Sequence, residues 1–244
     1  MTNRLRLLQL SKLLDVTRLN DADNTEQMAK WLAQLPTLPV AVAAYCVYPA
    51  YLPQLSRFMF ESEHPAGLAS VVNFPDGNAP LDVVCQQISS ALAAGATEID
   101  CVIPYQALMR GEHQYVSTFL SGVRRACGAH CLKVILESGE LITAQQVAKA
   151  TELAIDAGAD FIKSSTGKVP VGITEEAARI MLTIIAAANR PVGFKASGGV
   201  RTVGQALQLV DLYEQLTGVT ATSATMRIGA SALVTELAEQ LATY

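Results

Sequence analysis

The sequence repeats one unit, a short apolar segment followed by a stretch with helical periodicity. About eight of these units occur in the 244 residues, and a spacing of roughly 30 residues is the size of one βα repeat. Strands that alternate with helices form a parallel sheet, and eight even repeats favour a closed (β/α)8 barrel over an open, doubly wound sheet. The predicted strands cover residues 13–17, 40–48, 68–74, 98–103, 132–137, 160–164, 192–196 and 225–229.

Three predicted helices begin with a capping box, in which the first side chain and a Gln three positions later satisfy free backbone amides. The pairs are Asn24 with Gln27, Thr143 with Gln146 and Thr202 with Gln205. Residues 1–14 carry basic side chains between apolar ones without the continuous apolar core of a signal peptide, so they predict an extra N-terminal helix. No linker-like segment interrupts the chain, and we expect a single (β/α)8 TIM barrel domain over residues 1–244.

The composition excludes several classes of partner. Half of the residues are apolar but only 6% are aromatic, a mixture typical of buried parallel strands covered by Ala-rich helices. The net charge is -4 and no basic cluster is present, so neither nucleic acid nor an anionic membrane surface is an expected partner. The longest apolar stretch, residues 39–52, is shorter than the roughly 20 residues of a membrane span, so no membrane insertion is expected.

The cysteines and histidines predict neither disulfides nor metal binding. The five cysteines are an odd number without a Cys-x-x-Cys pair, which favours reduced thiols in a cytoplasmic protein. His64, His113 and His130 follow no ligand spacing and fall away from the catalytic ends of the predicted strands. We therefore expect no metal and no cofactor.

Two lysines end adjacent predicted strands. Lys163 and Lys195 both lie at the C-terminal rim of the predicted barrel, where proteins of this fold keep their active sites. One lysine at a strand end usually extends into solvent, but two ammonium ions about 4 Å apart repel by about 4 kcal/mol at an effective dielectric near 20. This repulsion, about three pKa units, keeps one amine neutral near pH 7 and makes it a nucleophile. Lysine Schiff-base chemistry is therefore the leading prediction.

An internal repeat adds a carboxylate to the same rim. Residues 94–100 and 157–163 both begin with Ala-Gly-Ala, in which the glycine suits a helix C-cap and a strand follows at once. Asp100 and Lys163 each stand five residues after that glycine, and both lie on even-numbered strands, so we expect them in equivalent layers of the barrel. Asp100 is thus placed to transfer protons during imine formation and protonation of the substrate carbon.

Other polar residues within apolar strands allow two interpretations. Asp15 suits equally a charge partner of a buried lysine and a ligand for a substrate hydroxyl. Cys46 suits a small apolar filler better than a pocket residue, but a thiol that lines the pocket is expected to react with aldehyde condensation products and inactivate the protein. Lys133 and Glu137 bracket one strand at even spacing, and we expect a structural ion pair between them.

The loops after the last three predicted strands are rich in small residues with free backbone amides. They comprise residues 165–168, 197–199 and 229–231, and the last two lead into helices. Amides at a helix N-terminus bind anions, and the loops after strands seven and eight are the usual phosphate site of such barrels. One such loop indicates only a tight turn, but three loops at one rim predict a phosphorylated ligand. Residues 193–199 do not follow Gly-x-Gly-x-x-Gly, which disfavours a dinucleotide.

Together these segments resemble the deoxyribose-phosphate aldolases, class I aldolases with a (β/α)8 barrel. The resemblance is carried by residues 14–17, 45–49, 71–77, 98–100, 133–137, 161–168, 193–195, 198–202 and 227–231. It implies that Lys163 forms a Schiff base, that Lys195 lowers the pKa of Lys163 and that Asp100 takes part in a proton relay. It also implies reversible cleavage of 2-deoxy-D-ribose 5-phosphate to D-glyceraldehyde 3-phosphate and acetaldehyde without a metal.

The expected substrate-binding residues are Asp15, Thr17, Cys46, Thr166, Gly167, Lys168, Gly198, Gly199 and Ser231, and the last six match the phosphate-side motifs of the family. The chain departs from the family pattern in two of these motifs. Ala196-Ser197 replaces the Pro-Ala of many members, which is expected to leave Lys195 less firmly placed. Ala232 stands where many members have a second serine, so we expect one phosphate hydrogen bond to be lost and KM to rise more than kcat falls. Tyr244 follows the last predicted helix almost directly and is not expected to reach the site.

Three alternatives remain open. Another Schiff-base aldolase or transaldolase would differ in its carbonyl donor, a non-catalytic barrel would only bind a phosphorylated sugar, and a doubly wound nucleotide-binding fold would bind NAD. Lys163, Lys195 and Asp100 argue against the non-catalytic barrel, because buried charges are costly to keep. The expected partners are a small phosphorylated sugar and acetaldehyde, and the expected assembly is a monomer or a homodimer.

Overall fold

Eight parallel strands close into a barrel in sequence order, so the predicted (β/α)8 architecture is confirmed. The computed structural model describes residues 3–244. Each strand pairs with the next, and the first pairs with the last, which closes the barrel. The strands are β1 (Leu14–Arg18), β2 (Ala44–Val47), β3 (Gly67–Val72), β4 (Glu98–Val102), β5 (Cys131–Ile135), β6 (Phe161–Lys163), β7 (Gly193–Ser197) and β8 (Met226–Ala230).

The helices cover the outside of this barrel. They are α1 (Asn3–Leu13), α2 (Thr25–Ala33), α3 (Leu52–Phe60), α4 (Leu81–Ala93), α5 (Tyr105–Met109), α6 (His113–Cys127), α7 (Ala144–Asp156), α8 (Glu175–Ala186), α9 (Val203–Thr217) and α10 (Leu233–Ala242), with a short 3-10 turn at Pro49–Tyr51. Helix α1 is the extra N-terminal helix that the sequence predicts. Its Arg6 and Gln9 side chains both contact Glu214 of α9, so it is attached to the second-last helix.

Local sequence signals set many of the helix boundaries. All three predicted capping boxes are present, at Asn24, Thr143 and Thr202. The two copies of the internal repeat also share a backbone feature at their glycines. Gly95 and Gly158 adopt positive φ values of 102° and 92° just before β4 and β6. This left-handed backbone favours glycine and ends the preceding helix.

The second strand is shorter than the sequence predicts. The apolar segment 40–48 suggested one continuous strand, but β2 contains only Ala44–Val47. Val42 is buried even though it lies outside the strand, because it packs into the core between strands and helices. Apolar patterning reports burial rather than hydrogen bonding, which explains the difference. Across residues 3–244, none of the helices has both the length and the apolar character that a transmembrane span requires.

Candidate active site

Two lysines and one aspartate meet inside the barrel. Lys163 on β6 and Lys195 on β7 are directly opposed in the sheet register, and both side chains are buried. Their Nζ atoms lie 2.7 and 2.8 Å from the same oxygen, Oδ2 of Asp100 on β4. The structure therefore brings together the carboxylate and the amine that the internal repeat predicts in one layer, with the second lysine beside them.

Asp15 on β1 extends this charged cluster and is a charge partner of buried cations. Its Oδ2 atom lies 2.6 Å from Lys195 Nζ and 3.2 Å from Lys133 Nζ, and its Oδ1 atom accepts a 2.8 Å hydrogen bond from Arg227 Nη1. The side chain is fully buried. Of the two interpretations left open by the sequence, these contacts favour the charge partner.

The predicted ion pair between Lys133 and Glu137 is wrong. Lys133 Nζ instead lies 2.8 Å from Asp100 Oδ1 and 2.6 Å from Glu98 Oε2. Strand β5 ends at Ile135, and Glu137 adopts a φ of 54°, so even spacing no longer places its side chain on the barrel interior. The two residues consequently belong to different clusters.

Glu137 fixes the loop that follows β6. Its buried carboxylate accepts hydrogen bonds from Ser165 Oγ at 2.5 Å and from the backbone N of Thr166 at 3.1 Å, and the Thr166 hydroxyl also donates to it. A non-glycine residue in left-handed backbone stores strain of order 1–3 kcal/mol and persists where its surroundings hold it. At Glu137, these hydrogen bonds stabilise the left-handed backbone conformation.

The charges of the cluster set the protonation states of its members. Burial lowers the pKa of Lys163, and the nearby ammonium of Lys195 lowers it further, although Asp100 acts in the opposite direction. Burial also acts to lower the pKa of Lys195, but Asp100 and Asp15 outweigh it and raise that pKa. For Asp100, burial favours the neutral form, yet Lys133, Lys163 and Lys195 hold its pKa well below the usual range. Lys163 is therefore the member of the pair that loses its proton more readily.

A cavity of about 530 Å³ opens from Lys163 to the C-terminal rim of the barrel. It is lined by Thr17, Arg18, Leu19, Asn20, Trp31, Lys163, Thr166, Gly167, Lys168, Ser197, Gly198, Gly199, Val200, Arg201, Gly229, Ala230 and Ser231. Four of these residues are basic, and none of the lining residues within the described chain is acidic. The cavity is thus suited to an anionic ligand.

The three small-residue loops converge on this cavity as predicted. Helix α9 begins with Thr202 as a side-chain cap, and its Val203 amide donates to Glu236 at 3.0 Å. Helix α10, by contrast, begins after Ala232, and no side chain caps its N-terminus in residues 3–244. The backbone amides at the start of α10, next to Ser231, remain available for an anion.

Lys168 lies at the cavity and contacts the loop after β1. Its Nζ atom forms an ion pair with Asp21 Oδ2 at 2.9 Å and lies 5.8 Å from the centroid of the Tyr48 ring. Thr17, on the opposite side of this loop junction, donates its hydroxyl proton to the carbonyl oxygen of Asp15 at 2.8 Å. Both residues line the cavity, as do the predicted substrate-binding residues Thr166, Gly167, Gly198, Gly199 and Ser231.

Cys46 and Tyr244 do not line the cavity. Cys46 Sγ is 4.0 Å from Asp100 Oδ2 but fully buried among small apolar residues, and burial raises its pKa. This position fits the apolar filler rather than the exposed thiol. Tyr244 lies at the end of the chain, where its hydroxyl accepts a 2.6 Å hydrogen bond from Asn3 Nδ2, in agreement with its exclusion from the site.

Sequence reasoning missed four polar or aromatic residues of the cavity: Arg18, Asn20, Trp31 and Arg201. Arg18 and Asn20 directly follow the predicted first strand, so their position at its C-terminal end was an available signal. Arg201 likewise follows the glycines after β7. Trp31 lies on α2, and nothing in its local sequence places it near the cavity.

Comparison with known proteins adds a family to this geometry. The family model for DeoC/LacD family aldolases matches residues 10–233. A candidate deoxyribose-phosphate aldolase from Coccidioides immitis is 27% identical and superposes with a TM-score of 0.81, covering 94% of this chain and 86% of its own. The deoxyribose phosphate aldolase from Aeropyrum pernix, which has a tetrameric structure, is 24% identical with a TM-score of 0.75, covering 100% of this chain and 99% of its own. At that identity the second likeness supports the fold alone.

Proposed function

Because the chain belongs to the DeoC/LacD family of aldolases, we propose that it is a deoxyribose-phosphate aldolase. It cleaves 2-deoxy-D-ribose 5-phosphate reversibly to D-glyceraldehyde 3-phosphate and acetaldehyde. One observation carries this proposal: the paired lysines share Asp100 at the base of a cavity whose charged lining residues are all basic. The buried amine suits the aldehyde end of the substrate, and the basic lining suits its phosphate.

Lys163 is the proposed nucleophile, since its lowered pKa increases the fraction of neutral amine. The amine adds to the C1 aldehyde, and loss of water from the carbinolamine gives a protonated imine. The C3 hydroxyl then loses its proton, the bond between C2 and C3 breaks, and its electron pair moves into the imine to form an enamine. C3 leaves as the aldehyde carbon of glyceraldehyde 3-phosphate. Protonation of C2 and hydrolysis of the imine release acetaldehyde and regenerate the amine.

Asp100 and Lys195 are the proposed proton carriers of this sequence. Asp100 is ionised and accepts hydrogen bonds from both amines, so it can take a proton that is released next to Lys163. Lys195 has a raised pKa and stays protonated, which keeps an ammonium ion beside the imine. The imine itself is the electron sink, so the proposed reaction uses no cofactor.

Trapping with sodium borohydride tests the nucleophile and the donor together. We expect acetaldehyde and borohydride to leave an ethyl group on Lys163, detected by peptide mass spectrometry. In Lys195→Leu the adduct should form more slowly but on the same residue, and in Lys163→Leu it should be absent. An adduct with a ketose phosphate but not with acetaldehyde would reject this substrate, and no adduct with any carbonyl compound would favour a non-catalytic binder.

The setting of the enzyme is a separate proposal. We propose a cytoplasmic enzyme of one domain, which is consistent with five free cysteines. We also propose a monomer or a homodimer, since few large apolar side chains such as Phe60 are exposed on the described surface. Light scattering after gel filtration tests the assembly, and a tetramer, as in the Aeropyrum pernix protein, would contradict it.

A further inference from the structure

Arg18, at the C-terminal end of β1, has a guanidinium group that is held in place before any ligand binds. Its Nε and Nη2 atoms donate to the two carboxylate oxygens of Asp23 at 2.6 and 2.7 Å. The Asp23 side chain is 1% exposed, and the guanidinium lies 5.7 Å from the centroid of the Trp31 ring. An arginine paired on one edge and stacked on an aromatic ring loses little further freedom when it binds a ligand.

The other edge of this guanidinium is free. Only two of its five N–H groups are used by Asp23, and Nη1 makes no hydrogen bond to any residue between 3 and 244. The side chain is 28% exposed, and Arg18 lines the cavity that contains Lys163. The unused N–H groups of Nη1 and Nη2 have the spacing that binds two oxygens of a phosphate.

The strand register places Arg18 near the phosphate side of the cavity. Val16 pairs with Ala230 of β8, the residue before Ser231, and Arg18 and Ser231 both line the cavity. Ser231 lies just before the start of α10, where side-chain capping is absent in the described structure. Ala232 offers no hydroxyl at this point, and Arg18 is a charged donor on the neighbouring strand.

We propose that Arg18 binds the substrate phosphate directly and determines the preference of the site for phosphorylated over non-phosphorylated sugars. This inference rests on the proposed aldolase function and assigns to Arg18 the donor that Ala232 lacks. Asp23 occupies only two of the five N–H groups, and the proposed contact with the phosphate uses the donors that remain. Arg18 therefore acts on binding of the phosphate and leaves the chemistry at Lys163 unchanged.

The test compares Arg18→Met with the parent enzyme on two substrates. Methionine keeps the apolar stem over Trp31 and removes the charge and the donors. With 2-deoxy-D-ribose 5-phosphate we expect KM to rise about 10- to 100-fold, because the variant loses a charge-assisted hydrogen bond to the phosphate. The value of kcat should change little. With 2-deoxy-D-ribose we expect kcat/KM to stay within about twofold, so that the preference for phosphate falls. The inhibition constant of inorganic phosphate should rise in parallel.

A matched control is Arg110→Met. Arg110 also pairs through Nε and Nη2 with one carboxylate, Glu112, but it does not line the cavity. Its replacement should leave KM and kcat unchanged with both substrates. Arg18→Lys keeps the charge but loses the pair of N–H donors that can bind two phosphate oxygens. It should show a smaller rise in KM, and only for the phosphorylated sugar. This variant replaces Arg18→Met in the test if Arg18→Met does not fold.

Equal losses on both sugars would overturn the proposal, because they would mean that Arg18 only supports the loop through Asp23. An unchanged KM for the phosphorylated sugar would overturn it as well. Borohydride trapping of acetaldehyde by the parent enzyme separates the two proposals. If the parent forms the Lys163 adduct and Arg18→Met keeps its preference, only the role of Arg18 fails, whereas a parent without the adduct would reject the aldolase.

Discussion

Lys163 and Lys195 contact the same carboxylate oxygen, yet their protonation is not equivalent. Burial and the ammonium of Lys195 lower the pKa of Lys163, whereas two carboxylates raise that of Lys195. Asp15 contacts Lys195 but not Lys163 among the described ion pairs, and this asymmetry supports Lys163 as the proposed nucleophile. The assignment of roles therefore depends on a second aspartate below the reacting layer.

This asymmetry predicts a shift in pH dependence. The rate of imine formation rises with pH as Lys163 loses its proton, and a lowered pKa moves this rise to lower pH. Lys195→Met removes the positive charge that lowers the pKa of Lys163, while Asp100, which raises the pKa of Lys163, remains. We therefore expect the rise at higher pH in the variant, measured as the rate of borohydride trapping with acetaldehyde. Lys149→Met, on the exposed face of α7, should leave the profile in place, and a shift to lower pH in Lys195→Met would contradict the assignment.

Lys133 predicts a stability effect without direct participation in the chemistry. It is buried against three carboxylates, those of Asp15, Glu98 and Asp100. Breaking a buried ion pair by removal of one partner costs about 3–5 kcal/mol, so we expect Lys133→Met to lower the free energy of unfolding by that amount at pH 7. Urea denaturation measures it, and a loss below about 1 kcal/mol would show that Arg227 and Lys195 suffice to balance the carboxylates.

The dependence of folding stability on acidic pH follows from the pKa of Asp100. The lowered pKa of Asp100 stabilises the folded state above its unfolded pKa, near 3.9, and this contribution is lost as the pH falls. Without Lys133 the pKa of Asp100 lies closer to its unfolded value, so the contribution at neutral pH is smaller. The stability difference between parent and variant should therefore stay nearly constant from pH 7 to pH 4 and shrink only at lower pH, where Asp100 takes up its proton in the folded state.

At the scale of elements, the loop from β6 to α8 depends on the turn after β5. Glu137→Gln keeps the shape of the side chain but replaces one carboxylate oxygen, which accepts hydrogen bonds from Ser165 and Thr166, by a donor. We expect the melting temperature to fall and KM for the phosphorylated substrate to rise about tenfold, because Thr166 lines the cavity at its proposed phosphate side. Glu140→Gln, on the same turn, is the control. A lower melting temperature with an unchanged KM would mean that the loop keeps its position without Glu137.

Alanine substitutions at two glycines test how closely the loops at the proposed phosphate side of the cavity pack against each other. A Cβ atom at Gly172 would lie 2.1 Å from the carbonyl oxygen of Gly198, whereas at Gly204 its nearest contact would be 4.0 Å away. Gly172→Ala should therefore displace the loop after β7, reduce activity and destabilise the fold by about 1–3 kcal/mol. Gly204→Ala, within α9, should stabilise it by about 0.5–1 kcal/mol. Thermal unfolding and steady-state kinetics distinguish them, and equal behaviour would contradict the close approach.

Local signals predict these elements better than they predict contacts between them. Capping boxes and the Ala-Gly-Ala repeat depend on a few neighbouring residues, and the structure has them where the sequence places them. The partners of Lys133 depend instead on how β1, β4 and β5 are placed around the barrel, which even spacing along one strand does not encode. The left-handed backbone of Glu137 is also set by the loop that it contacts. Arg18 had a positional signal, but its fixed orientation depends on Asp23 and on Trp31 from another element.

At the scale of the whole molecule, closure of the barrel predicts cooperative unfolding. The first strand pairs with the last, α1 contacts α9 and α10, and one large cluster of buried apolar residues extends from α1 to α10 in the described fold. We expect one transition in urea, with the same midpoint by circular dichroism and by fluorescence of Trp31, the only tryptophan. Separate midpoints would contradict a single domain.

Closure also determines when the charged cluster forms during protein synthesis. Asp15 lies on the first strand and Arg227 on the last, yet the two side chains are hydrogen bonded at 2.8 Å. While the ribosome is still extending the chain, Asp15 is already present and its arginine partner is not. A nascent chain arrested before β8 therefore has every proposed catalytic side chain but an incomplete set of counterions, so a stalled-ribosome complex should acquire aldolase activity only after the last strand has left the exit tunnel.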